Sequence, residues 1–302
     1  VKVLYIAGSG RSGSTIVDNI LGQLDGFVSV GEVRFLWERG MIEDRTCGCG
    51  RGFSVCPFWT AVLERAFAGS PPDPGRMLDL LARGTRARRI PGLVGGRGRR
   101  SRFVATLGEL PGVLSSLYAA IADESGARVI VDSSKLPTYG AVLAEVPGVE
   151  VRMLHLIRDP RAAGYSWLRT KALPDKPGAV MQRQGPWHSA ALWTMWNAAA
   201  ELFGRDLPYR RLRYEDVIAE PEQAIEAVAA WMDEAMTPSP FAGPAQVHLA
   251  PAHGVAGNPS RFTTGTVALR MDDAWRTELG DADRRVITAL TWPLLLRHRY
   301  PV

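Results

Sequence analysis

Between Gly8 and Thr15 the chain reads Gly-Ser-Gly-Arg-Ser-Gly-Ser-Thr. This matches the phosphate-loop pattern G-x-x-x-x-G-[K]-[ST] at every place but one: Ser14 stands where the lysine belongs. Backbone N–H groups of such a loop, backed by a helix N-terminus, cradle an anion. The lysine normally reaches the β- and γ-phosphates of a nucleoside triphosphate, so its absence argues against a triphosphatase. Arg11 instead puts a positive charge inside the loop. A second anion site is legible at Arg158-Asp-Pro160, which ends an apolar run, with Ser166 eight residues after Arg158. The proline opens a helix, and the chain can turn back to bring Arg158 and Ser166 to one anion.

These residues need strand ends to hold them. Residues 1–7 are an apolar run, 8–13 are glycine-rich, and 14–24 carry helical spacing through Ile16, Ile20, Leu21 and Leu24. Further strands are predicted at 27–30, 128–131 (with Asp132 at the end), 151–157 and 209–212, with helices at 111–125, 189–203 and 221–232. Strands alternating with helices predict an α/β fold of the P-loop-like kind, a three-layer sandwich with a central parallel sheet and helices on both faces. Ligands of such sheets sit at the carboxyl ends of strands. No internal repeat and no second domain is visible, so residues 1–302 read as a single domain. The stretch 84–102 holds seven arginines and five glycines and reads as a mobile basic loop. The Pro/Gly-rich stretch 243–266 reads as a loop that closes over a ligand.

Composition bounds the function. Of 302 residues, 46% are hydrophobic and 22% charged, which suits a globular domain and excludes disorder. There is no apolar run long enough for a membrane span, and the opening VKVLYIAGSG reads as a strand rather than a leader. The net charge is +5, and only four of the 36 basic residues are lysines. Arginine is the side chain best shaped to grip phosphate or sulfate in two-point contacts, so an anionic ligand is favoured. Three cysteines in a chain this long do not make a disulfide scaffold, and a reducing cytoplasm is the expected location.

The loop GSGRSGST resembles the 5′-phosphosulfate-binding loop of sulfotransferases that use 3′-phosphoadenosine-5′-phosphosulfate (PAPS), in particular bacterial ones. The resemblance implies that Arg11, Ser12, Gly13, Ser14 and Thr15 hold the 5′-phosphate and sulfuryl group, with Arg11 on the leaving oxygen. It implies that Arg158 and Ser166 clamp the 3′-phosphate. Arg213-Tyr-Glu-Asp216 resembles the family's adenine-contacting segment, nominating Tyr214 for base stacking. Gly257-Asn-Pro-Ser-Arg261-Phe262 resembles a late loop closing over the nucleotide, which makes Arg261 a candidate second 3′-phosphate contact. Val30-Gly-Glu-Val-Arg-Phe35 is similar to the Gly-Glu segment of tyrosylprotein sulfotransferases, where the glutamate is the base; Glu32 is therefore the leading base here. Lys135, in Asp132-Ser-Ser-Lys135, would stabilise charge developing on the transferring group, with Ser133 and Ser134 as donors beside it.

The implied function is in-line transfer of a sulfuryl group from PAPS to a hydroxyl of a small-molecule, sugar, lipid or tyrosyl acceptor, with no metal. The alternatives are a P-loop small-molecule kinase, opposed by the missing lysine, and a basic nucleic-acid-binding protein, opposed by the absence of any recognition motif. His188, His248 and His253 are weaker base candidates, and His155 lies inside a strand. Trp187 and His188 could wall an acceptor pocket, while Trp193 and Trp196 read as core. Cys47, Cys49 and Cys56 lack an adjacent fourth ligand, which favours a structural or substrate-side turn over a metal site.

Overall fold

The computed structural model describes every residue of the chain except Pro177. Five strands, β1 (Lys2–Ala7), β2 (Phe27–Gly31), β3 (Val129–Lys135), β4 (Glu150–Ile157) and β5 (Tyr209–Arg213), form a parallel sheet in the order β2-β3-β1-β4-β5. Alternation along β1 shows why it is central. Val3, Tyr5 and Ala7 enter one apolar cluster and Leu4 and Ile6 enter another, on opposite faces of the sheet. The first face is covered by the helices Leu110–Ser125, Pro137–Leu143 and Pro186–Phe203, the second by α1 (Ser14–Leu21) and the helix Pro221–Trp231. The expected three-layer α/β sandwich is the one observed.

Helix α1 is a turn shorter than its spacing predicts. Gly22 ends it, and a Cβ at Gly22 would lie 2.5 Å from that of Ser29, so the glycine lets the chain double back against β2. The 243–266 stretch is not wholly irregular either. β6 (Phe241–Gly243), β7 (Gln246–Leu249) and β8 (Gly265–Ala268) form a small antiparallel sheet that packs Val247 and Leu249 into the core. The arginine-rich 84–102 stretch, expected as a loop, is mostly helical: Pro74–Thr85 finishes inside it, and Ile90–Leu93 and Arg97–Ala105 follow. Leu93 and Val104 are buried, and Arg100 forms a buried ion pair with Glu145 at 2.7 Å, which anchors the stretch where solvated arginines would not. Among the described residues, no single helix is long and apolar enough to cross a membrane.

Candidate active site

All five parallel strands end at one cavity of ≈ 580 Å³, and each contributes a polar group to its wall. The phosphate loop follows β1, Glu32 follows β2, Lys135 ends β3, Arg158 follows β4 and Tyr214 follows β5. The loop is held open by its glycines. A Cβ at Gly8 would lie 2.4 Å from the Leu156 carbonyl oxygen, and at Gly13, where φ is +85°, 2.3 Å from the Tyr214 ring. Gly8 N donates to the Lys135 carbonyl at 2.9 Å, which ties the loop to the end of β3. Arg11 and Lys135 both have φ of 66° without being glycine. Backbone in this region costs a non-glycine residue on the order of 1–3 kcal/mol and clusters at functional sites.

Arg11 and Ser12 have donors with nowhere to go. The Arg11 guanidinium lies 4.5 Å over the Trp167 ring and one terminal nitrogen donates to Met181 Sδ at 3.1 Å. Its Nε and other terminal nitrogen, and Ser12 Oγ, are buried without a partner among the described residues. Buried polar groups are almost always paired, so the unpaired Arg11 donors on the cavity wall mark a ligand position. Ser14 and Thr15 are buried beside them, and Thr15 Oγ1 accepts from Asn258 N at 3.3 Å, joining the late loop to the first.

Glu32 and Lys135 form an ion pair of 2.5 Å on the same wall. Burial pushes the Glu32 carboxyl up, but the Lys135 and Arg34 charges outweigh it and hold the group below its ordinary value. Glu32 is therefore ionised and able to accept a proton. A bulge brings Lys135 there: Tyr5 and Ala7 of β1 face Asp132 and Lys135 of β3, so β3 spends one extra residue at this edge. Beneath it, Asp132 accepts from Ser134 N, Ser134 Oγ and Tyr118 OH, and burial raises its carboxyl to about 6.

Arg158 is buried, and one of its terminal nitrogens donates to the Arg11 carbonyl at 3.3 Å, so the two segments expected to bind anions are neighbours. Ser166 lines the same cavity. The Arg158 guanidinium lies 4.8 Å from the Tyr214 ring centre, and its charge is partly met by Asp272 at 3.6 Å. Tyr214 thus supports Arg158 and Gly13 as well as facing the cavity.

Arg261 does not join this group. Its guanidinium pairs with Asp175 at 2.9 Å and with the Thr46 and Gly257 carbonyls, and it is Gly257, Asn258 and Ser260 of that loop that reach the cavity. No histidine lines the cavity among the described residues. His188 and His248 are exposed, and His155 is core, bonded to Tyr209 and Asn197 and lowered to about 3 by burial. His253 lies among the cysteines. Trp193 and Trp196 reach the cavity, whereas Trp187 is exposed. Sequence reasoning passed over Arg34, Arg39, Trp167 and Lys171. Arg34 and Arg39 sandwich Phe35 at 3.8 Å each, a pairing made by the seven-residue π-helical segment Leu36–Ile42, which has no simple periodicity. The scarcity of lysine was the one signal available for Lys171.

No family profile and no curated protein matches the sequence. Its fold is shared with the sulfotransferase domain from the curacin biosynthetic pathway, over 96% of this chain and 97% of that one, at a TM-score of 0.51 and 16% identity. A sulfotransferase from Alicyclobacillus acidocaldarius aligns over 95% of this chain and 94% of its own, at a TM-score of 0.36 and 14% identity. The chain therefore has a P-loop-like α/β fold of the kind that sulfotransferase domain adopts.

Proposed function

We propose that the chain, working as one domain, is a sulfotransferase that moves the sulfuryl group of PAPS to a hydroxyl. The observation that carries it is the pair of unpaired buried donors on Arg11, on the same cavity wall as the ionised Glu32–Lys135 pair. When bound, the donor supplies the sulfuryl group, whose bond to the 5′-phosphate oxygen breaks as the bond to the acceptor oxygen forms. Arg11, Ser12 and the N–H groups up to Thr15 hold the 5′ end, and Arg158 with Ser166 hold the 3′-phosphate. Such transfers ask the protein mainly for positioning and charge. Glu32 takes the hydroxyl proton. As its charge is neutralised its grip on Lys135 weakens, and the ammonium is freed for the departing oxygen.

The acceptor side is supported by a second cavity of ≈ 360 Å³ that shares Arg34, Phe35, Leu136 and Trp196 with the first. Its remaining wall includes Leu78, Leu81 and Ala82, which suits an acceptor with an apolar body and a hydroxyl turned toward Glu32. The test is thermal stabilisation. The desulfated nucleotide 3′-phosphoadenosine-5′-phosphate (PAP) should raise Tm, by the equivalent of about 2.7 kcal/mol at a hundred times its Kd. Mg·ATP should raise it little. Stabilisation by Mg·ATP alone would favour a kinase.

A further inference from the structure

The fourth group missing beside the three cysteines arrives from the far end of the chain. His253 lies 197 residues after Cys56, yet its Nδ1 is 3.4 Å from Cys56 Sγ and 3.9 Å from Cys47 Sγ. Cys56 Sγ is 3.6 Å from Cys47 Sγ and 3.7 Å from Cys49 Sγ, and all four ligand atoms lie within 4.8 Å of one another. A tetrahedral zinc with Zn–S of about 2.3 Å and Zn–N of about 2.0 Å would have S···S edges of about 3.8 Å and S···N edges of about 3.5 Å. The observed S···S edges of 3.6 and 3.7 Å fall just below the first value, and the S···N edges of 3.4 and 3.9 Å bracket the second. A disulfide needs about 2.0 Å between sulfurs and would leave the third cysteine and the histidine unused.

We propose that Cys47, Cys49, Cys56 and His253 form a Cys₃His zinc site. Its surroundings have the features of one. Cys47–Gly50 is a tight turn in which Gly50 N donates to the Cys47 carbonyl and Gly50 has φ of +88°. Cys56 also caps the helix Pro57–Phe67, whose N-terminal dipole favours a thiolate. The His253 ring is oriented by stacking on Phe58, with centres 4.7 Å apart. Four protein ligands close the coordination shell, and none of the four lines the cavity, so the metal's role is structural.

The consequence is mechanical. Next to His253, Gly254 accepts from Gly48 N, Val255 donates to the Val30 carbonyl, and Ala256 accepts from Glu32 N. The zinc would clamp this late loop onto the end of β2 that carries Glu32. The site stands on these ligands alone, whatever group the cavity transfers.

Protein isolated and kept under reducing conditions, loaded with zinc and freed of excess, should hold about one zinc per chain by elemental analysis. Cobalt in its place should show a thiolate charge-transfer band and tetrahedral ligand-field bands. Cys56→Ser should weaken zinc binding by more than about 100-fold, beyond what losing an outer-shell partner does. His253→Cys should keep the metal and alter the cobalt spectrum, whereas His253→Ala should lose it. Should Cys56→Ser not fold, Cys49→Ser, half-buried, carries the same comparison. Substoichiometric metal with no cobalt–thiolate band, or a disulfide in the freshly isolated chain, would overturn the proposal.

Discussion

Glu32 and Lys135 are each explained by the other. A carboxylate buried with no cation nearby would keep its proton, and the ammonium beside it holds Glu32 ionised. Glu32→Gln keeps the shape and removes the basicity, so kcat with an alkyl hydroxyl acceptor should fall by about 10²–10⁴ while PAP affinity is nearly unchanged. Because the folded pKa lies below the ordinary value, the acid limb of kcat/KM should lie below pH 4.5. Lys135→Met removes the largest lowering charge and leaves Arg34 and Arg39 alone against burial, so that limb should move up; a limb that stays put would separate Glu32 from Lys135. Arg11→Ala should differ from both. Arg11 is proposed to hold the donor in the ground state, so affinity and rate should fall together in titrations and single-turnover assays.

At the scale of elements, the site is a row of strand ends kept in order by backbone that few residues tolerate. Gly13→Ala would put a Cβ 2.3 Å from the Tyr214 ring at a φ of +85°. It should cost at least about 1–3 kcal/mol in stability and weaken PAP binding, read by denaturation and calorimetry. Asp18 on α1 is buried beside Ser133, and burial pushes its carboxyl up to about 7. A folded-state pKa above the unfolded value means that stability is lost as pH rises from about 4 to about 7. Asp18→Asn removes that loss. At about 1.4 kcal/mol per unit the variant should gain up to about 4 kcal/mol near pH 8, and nothing near pH 4; equal stabilities near pH 8 would show that Asp18 is ionised freely. What was legible in the sequence follows the same division. The loop 8–15 (apart from Ser12), Arg158 and Ser166, Lys135 and Tyr214 sit within local strand–turn–helix signals, and the fold gathered them into one cavity. Arg261 and His253 lie outside the cavity, and their partners, Asp175 and the cysteines, are 86 and about 200 positions away, so nothing local to either residue announces those contacts. The 84–102 stretch misled through its arginines, one of which is buried against Glu145 by a contact 45 residues distant.

For the molecule as a whole, charge and fold point the same way. Seven cationic side chains and two carboxylates line the main cavity, an excess of five positive charges against the +5 of the entire chain. The net charge is thus concentrated where a nucleotide with anionic groups at both its 3′ and 5′ positions is proposed to bind, and PAP affinity should fall as salt rises. The fold shared with a sulfotransferase domain extends over nearly the full length of both chains at only 16% identity, so roles must be tested residue by residue here. The most direct measurement is calorimetric titration of wild type and Arg158→Ala with PAP and with adenosine-5′-phosphosulfate, which lacks the 3′-phosphate. PAP should bind wild type without magnesium and lose about 1.5–3 kcal/mol, roughly 10- to 150-fold in Kd, on Arg158→Ala, while adenosine-5′-phosphosulfate binding hardly changes. No PAP binding to wild type, or equal losses for the two nucleotides, would contradict a PAPS-dependent transferase with its 3′-phosphate on Arg158.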